Sequence, residues 1–488
     1  MTDVTSFGWV VAAVALAATA AILSNRLSAR IRVPAPALFL VGAAVASDVF
    51  PGLNVLSTTT VQRVVTVALV VILFDGGAHI GWRRFRSAAG AVLSVGVLGT
   101  LLTAGAVAVL AHVALGFSWP AALLLGTALA PTDPAVVFSV LGRREIVGRS
   151  GVILEGESGA NDPVGIALMV ALLSASGLDG FSAVGHGLVE FALQMVLGAA
   201  VGIAGGGALL WFMRRVALPS EGLYPLRTLA AAAGIYGVAT VAHGSGFLAV
   251  FISGIMLGDA RAPYKREIER FHASLASLAE IVAFTVLGLT ISLAELPRVN
   301  ALSGGVVLAV ALAFVIRPIL VGLTLLPVRL RRGERIFVLW SGLKGAVPVL
   351  LGTYAFSAGV PDARRIYDTI FVVVTFSVIV QGGLVPLVAR WCGVPMRTVQ
   401  PEPFALGMRF QHEPRGLDHY RIAPGAPADG ATIGELGVGA EIWISLVKRS
   451  GHLVPVSRDT LLRAGDEVVA LVDPDGGADP VALFGARA

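Results

Sequence analysis

Between Ile153 and Leu173 the chain reads ILEGESGANDPVGIALMVALL, an apolar run of helix length that nevertheless holds Glu155, Glu157 and Asp162, with Asn161 and Pro163 flanking the last. A charged side chain at the centre of a bilayer costs about 2.5–3.5 kcal/mol or more, and such residues mark ion pathways and proton relays. Two other stretches combine charge with helix breakers. TALAPTDPAVVFSVL places Thr132 and Asp133 between Pro131 and Pro134, and WSGLKGAVPVLLGTY places Lys344 between Gly342 and Gly345, ahead of Pro348. The chemistry these residue types permit is ligand exchange at a carboxylate. A buried carboxyl holds a proton or a metal cation, not both at once, and nearby hydroxyl and amide oxygens suit a partly dehydrated Na+ or K+.

Helical spacing assigns the groups to different faces. Glu157 and Asn161 share one face at i,i+4, as do Ser158 and Asp162, so Asp162 points roughly 140° away from Glu157. Two carboxylates aimed apart imply two jobs. Pairing Glu157 with the buried cation Lys344 relieves the desolvation cost of both. Asp162 is then free to exchange ligands, with oxygens of Thr132, Asp133, Ser158 and Asn161 nearby. Glu155, nearer the basic end of its helix, reads as lining an entrance. Asp75 and Glu280 read as braces between helices, and Arg317, in FVIRPIL, as a donor to carbonyls freed near Pro318.

These residues need membrane helices to hold them. Of 488 residues, 56% are hydrophobic and 14% charged, with a mean hydropathy of +0.83; a soluble domain carries roughly 25% charged residues. Windows of about 20 apolar residues predict thirteen spans, near 7–25, 34–50, 60–80, 88–114, 119–141, 151–175, 187–212, 226–242, 245–258, 274–293, 301–326, 335–357 and 367–390. The N-terminal run lacks a basic leader and reads as the first, retained span. Arginine and lysine cluster after spans one, three, five, seven, nine and eleven. Under the positive-inside rule this puts the N-terminus outside and everything after the last span in the cytoplasm. The same placement explains the pI near 9.7 without nucleic acid. A single cysteine, Cys392, excludes a disulfide framework.

Proline removes a backbone donor and strains the preceding turn, so spans five and twelve are expected to be interrupted. Seven apart, they cross in opposite directions. That fits two inverted six-helix repeats with broken helices crossing at the site, the arrangement that points to a transporter's binding site. Beyond Pro401 short alternating runs such as EIWISLVKR and DEVVALV stand between Gly, Pro and Asp turns, the signals of strands and hairpins. The expected fold is an all-α polytopic membrane domain, 1–395, followed by a small β-rich α+β cytoplasmic domain, 401–488.

PTDPAVV at 131–137, EGESGANDPVGI at 155–166 and GLKGAVPVLL at 342–351 resemble the motifs of NhaP-type monovalent cation/proton antiporters, relatives of the eukaryotic sodium/proton exchangers. The resemblance implies a dimer in a bacterial inner membrane, with a mobile core domain and elevator-like alternating access. It implies that Asp162, with Asn161, binds ion and proton, that Thr132 and Asp133 sit in the unwound helix, and that Ser158 is a cation ligand. It also implies that Glu157 pairs with Lys344, where many members carry arginine, and that exchange is electroneutral. The tail, from RGLDHYRI to EVVALVDP, resembles the TrkA-C (RCK-C) domain, which implies dimerisation and a regulatory nucleotide or small ligand. The combination is similar to the potassium/proton subgroup, so K+ is expected over Na+ or Li+, with no cofactor. A gated cation channel or uptake subunit is the competing reading, but no TVGYG-like filter is present. An intramembrane hydrolase lacks HExxH, GxSxG or a cysteine nucleophile.

Overall fold

The computed structural model describes residues 8, 19, 34–53, 56–141, 144–175, 180–260, 262–297, 300–398, 418–437, 442–472 and 479–487. It divides into two compact units, Met1–Val399 and Gln400–Ala488. The first expected span lies outside the described residues, apart from Gly8 and Thr19.

From the second expected span onward, helices occupy the apolar windows. They are α1 Ala35–Val49, α2 Thr58–Leu93, α3 Thr100–Leu115, α4 Trp119–Leu129, α5 Ala135–Leu141, α6 Arg149–Ser174, α7 Gly180–Arg215, α8 Leu223–Val241, α9 Gly246–Gly258 and α10 Lys265–Leu289. Then follow α11 Ala301–Ala311, α12 Arg332–Trp340, α13 Ala346–Ser357, α14 Ala363–Phe376 and α15 Gly383–Trp391. Among the described residues five continuous helical runs are long and apolar enough to cross a membrane alone, including Thr58–Leu115 and Ser182–Arg215. Large apolar side chains stay on the surface of α7, including Leu188, Val196, Ile203 and Trp211, as lipid-facing or partner-facing surfaces require.

Irregular backbone falls at defined places. Gly81 interrupts α2 with φ +67° and ψ 161°, a conformation open essentially to glycine, and the Asp259 carboxylate accepts the Arg83 N–H there at 2.5 Å. π-Helical turns occupy Ser94–Gly99, Leu312–Val321 and Ser377–Gly382. The first two fall in expected spans four and eleven, seven apart like the two broken spans. A short ribbon, β1 Arg144–Ile146 antiparallel to β2 Met396–Thr398, ties the segment before α6 to the segment after α15. Hydropathy gave no sign of it, because the pairing is backbone-to-backbone between residues about 250 positions apart.

The C-terminal unit is an antiparallel sheet of β3 Asp418–Ile422, β4 Ile442–Arg449, β5 His452–Val454, β6 Glu467–Val472 and β7 Gly485–Arg487, in the order β5-β4-β6-β3-β7. Tyr420, Ile422, Val468, Ala470 and Phe484 form its core. Ile442, Ile444 and Val447 are buried from β4. The step from 444 to 447 arises from a register shift between Ile444 and Leu446, since a bulge reverses the side-chain alternation.

Asp466 secures the turn before β6. Its carboxylate accepts Arg449 Nε and NH2 at 2.8 and 2.7 Å and the Arg463 N–H at 2.9 Å. Burial acts to raise its pKa, but these donors together outweigh burial and hold it below the usual carboxylate range. A depressed carboxylate stabilises the fold above its unfolded value of about 4 and ceases to do so as pH falls through the lower folded value. Asp466→Asn is therefore expected to destabilise this unit at neutral pH by about 1.5–3 kcal/mol, the contribution of charged hydrogen bonds. The difference from the unmutated chain should shrink below pH 4, read by hydrogen exchange of β4 and β6 in the whole protein.

Candidate ion-binding site

The fifth expected span divides after Leu129. Residues 130–134 are non-helical before α5 begins, because Pro131 and Pro134 cannot donate to the helical ladder. The Asp133 carboxylate accepts the Ala135 N–H at 2.8 Å and so caps α5. The twelfth divides between α12 and α13, with Pro348 in the first turn of α13, where a missing N–H is tolerated. The two breaks meet. Asp133 N–H donates to Leu343 O at 2.8 Å, and Lys344 Nζ donates to Ala130 O and Pro131 O, each at 3.0 Å. The lysine ammonium thus satisfies carbonyls released by unwinding of the opposite span. Lys344 N–H donates to Ser377 Oγ at 3.0 Å, and Ser377 Oγ–H to Gln381 Oε1 at 3.0 Å.

Glu157 pairs with Arg317, not with Lys344. Arg317 NH1 and NH2 reach its two carboxylate oxygens at 2.7 and 3.0 Å, both side chains being almost fully buried. A planar guanidinium matches a carboxylate bidentately and an ammonium does not. The π-helical turn that includes Pro318 is where Arg317 projects. The expectation for Arg317 is corrected in detail as well: it donates to Leu339 O at 2.8 Å and Val338 O at 3.2 Å, carbonyls in the last turn of α12 rather than near Pro318. A span carrying Arg next to Pro in an otherwise apolar run was the available signal.

Around α6 the two faces separate. Asn161 Nδ2 donates to Thr132 Oγ1 at 2.7 Å, and Thr132 Oγ1 lies 3.4 Å from Glu157 Oε1. Asn161 Oδ1 is buried without a hydrogen-bond partner. Ser158 and Asp162 instead line a cavity of about 460 Å³ that also includes Asp133. Asp162 is 7% exposed, and among the described residues its carboxylate has no hydrogen-bond donor. The Asp162 carboxylate and the Ser158 hydroxyl thus share the cavity face, oxygen groups of the kind that a desolvated monovalent cation takes, whereas the unpartnered Asn161 oxygen is not among the cavity's lining. Among the described residues no cluster of His, Cys, Asp and Glu suits a transition metal.

The cavity extends to Asp75, His79 and Glu155. Asp75 Oδ2 lies 3.4 Å from His79 Nδ1, and Glu155 pairs with Arg84 at 3.3 Å. Glu280, read from sequence as a brace, also faces this cavity. Gly342 and Gly345 do more than break a helix: a Cβ at Gly342 would occupy the Arg317 guanidinium, and one at Gly345 the Asp133 carboxylate. Gly345→Ala is therefore expected to displace Asp133 and destabilise the crossing by about 1–3 kcal/mol, as overpacking does, measured as a lowered melting temperature in detergent.

The sodium/hydrogen exchanger transmembrane family model matches residues 7–391. The chain belongs to the sodium/hydrogen exchanger family. A TrkA-C domain model matches residues 419–485 of this exchanger-family chain. Its relatives include the K(+)/H(+) antiporter NhaP of Alkalimonas amylolytica, 35% identical over 374 residues, which span 76% of this chain and 64% of the relative. The K(+)/H(+) antiporter NhaP2 of Shewanella sp. (strain MR-4) is 31% identical over 464 residues, 94% of this chain and 80% of that one. The Na(+)/H(+) antiporter ApNhaP of Aphanothece halophytica is 27% identical over 384 residues, 75% of this chain and 72% of that one. Among solved structures, the sodium proton antiporter MjNhaP1 from Methanocaldococcus jannaschii at pH 8 superposes with a TM-score of 0.65 at 22% identity, covering 80% of this chain and 98% of the other. The exchanger fold is thus shared across the membrane unit.

Proposed function

We propose that this exchanger-family protein is an electroneutral secondary antiporter that exchanges cytoplasmic K+ for external H+, with Asp162 as the group that carries either ion. The observation that carries this reading is the buried, donor-free Asp162 carboxylate in a cavity, beside two crossed helix breaks whose own polar side chains already have protein partners. Lys344 is tied to carbonyls, Glu157 to Arg317, and Asp133 to the α5 N-terminus. A single carrier carboxylate that takes either one cation or one proton moves the same charge in each direction, so exchange is one for one.

Access alternates in this reading. The cavity is lined by residues of α2, α6, α9, α10 and α13 and of the segment from Asp133 to Ser139. Beyond the C-terminal end of α10, Thr290 shares a hydroxyl hydrogen bond with Tyr367 of α14, and Glu295 pairs with Arg364 of α14 at 2.9 Å. The cavity mouth at Asp75, His79 and Glu155 lies toward the arginine-rich loops and is read as cytoplasmic. K+ is chosen over Na+ on the names of the relatives covered over most of this chain. The C-terminal unit is read as a cytoplasmic module that dimerises and binds a regulatory nucleotide or small ligand, and the whole protein as a homodimer in a bacterial inner membrane.

The test is flux in proteoliposomes holding a pH-reporting dye and an acid interior, with K+ or Na+ added outside and the voltage clamped. Proton efflux driven by K+ and indifferent to voltage is the expected result. A response to Na+ alone would reassign the ion, and cation flux without proton movement would overturn exchange in favour of a channel.

A further inference from the structure

Among the described residues five carboxylates line the cavity, from Asp75, Asp133, Glu155, Asp162 and Glu280, and no lysine or arginine does. Three are committed to protein partners: Asp133 to the Ala135 N–H, Asp75 to His79 and Glu155 to Arg84. Among the described residues Glu280 and Asp162 have no hydrogen-bond donor, and Glu280 Oε1 is buried as well. A carboxylate that braces two helices would meet a donor on its neighbour. One buried without a donor or a cation is costly unless something from solvent neutralises it.

Its placement on α10 indicates what does so. Ala276, Ser277 and Glu280 lie at i, i+1 and i+4 on the cavity face of α10, and Ser158 and Asp162 lie at i, i+4 on the cavity face of α6. The two lining stripes belong to different helices of one cavity, each presenting a serine hydroxyl one turn from a donor-free carboxylate. A space of about 460 Å³ holds a cation with part of its water shell, each water taking about 30 Å³. Small side chains at Ala273, Ala276 and Ser277 keep that path open.

We infer that Glu280, with the Ser277 hydroxyl, forms a second binding site for a partly hydrated monovalent cation in the cavity that also holds Asp162, occupied before the cation reaches Asp162. The inference rests on the antiporter reading and adds a residue to it. Glu280 remains outside the stoichiometry, because the same cation passes from one carboxylate to the next. Its removal changes how well the cavity captures the cation rather than what is exchanged.

The full-length protein in proteoliposomes tests this with Glu280→Gln and Glu280→Asp, using KCl against choline chloride. Glu280→Gln is expected to raise the K+ concentration for half-maximal exchange about tenfold, the effect of losing one carboxylate near the ion at intermediate dielectric, with the maximal rate retained. Glu280→Asp should restore most of the affinity. An unchanged half-maximal concentration, or a fall in maximal rate alone for both variants, would overturn the second site while exchange itself stood. Absence of exchange in the unmutated protein would instead overturn the antiporter reading. Should Glu280→Gln not fold, labelling of Glu280 by a hydrophobic carbodiimide in the unmutated protein decides: protection by K+ supports the site, and labelling indifferent to K+ removes it.

Discussion

Asp162→Asn is expected to abolish cation-driven proton movement while leaving the protein folded. The amide keeps the size and shape of the carboxyl but holds neither a proton in the relevant range nor a full negative charge. Removing one partner of a buried charge pair costs about 3–5 kcal/mol, which is two to four powers of ten in cation affinity at about 1.4 kcal/mol for each. Asp162 has no donor among the described residues, so the substitution leaves no protein group without a partner. The melting temperature should therefore move little. Flux in proteoliposomes and a thermal melt on the same preparation separate the two effects. Exchange that survives Asp162→Asn would place the carrier elsewhere, with Glu280 next in line because it too is donor-free on the cavity wall.

Arg317→Ala should give the largest loss of stability of any single change at the site. It strands the Glu157 carboxylate, almost fully buried, and it removes the donor to Leu339 O and Val338 O. Breaking a buried pair from one side costs about 3–5 kcal/mol, and poor yield of folded protein is the expected outcome. Arg317→Lys keeps the charge but loses the fork, and should lie between. Glu157→Gln combined with Arg317→Gln should be better tolerated than Arg317→Ala, since no unpaired charge remains. Lys344→Gln gives the contrast. It leaves Ala130 O and Pro131 O less satisfied, at about 1–3 kcal/mol for a lost buried partner, and Glu157→Gln should not rescue it. A double-mutant cycle on melting temperature between 157 and 317, set beside one between 157 and 344, decides which cation holds Glu157. Stronger coupling at 344 would contradict the geometry.

Much of the architecture was legible because bilayer chemistry imposes simple rules on sequence. Apolar windows mark where helices lie, and paired prolines around Thr132 and Asp133, or glycines around Lys344, mark where they break. The i,i+4 spacing in ESGAND separates Ser158 and Asp162 from Glu157 and Asn161, and the structure places those pairs toward a cavity and toward Thr132 or Arg317 respectively. In the C-terminal unit the alternation of IWISLVKR and EVVALV predicts strands, and both form. These signals are local: each depends on a period or a breaker within one segment.

Partner choice between segments was decided only by the tertiary structure. Two buried cations, Arg317 and Lys344, were available to one inward carboxylate, and linear spacing cannot say which reaches it. The widened turn at Pro318 and the space left by Gly342 bring the guanidinium to Glu157, while unwinding of the opposite span hands Lys344 two carbonyls. Glu280 reads as a brace in isolation and becomes part of a cavity lining only once α10 and α6 border the same space. The β1–β2 ribbon and the bulge in β4 escaped notice for the same reason. Composition and periodicity record how each segment meets its surroundings on average, whereas a contact between distant segments depends on the few ångströms by which helices are broken, widened or brought close at particular residues.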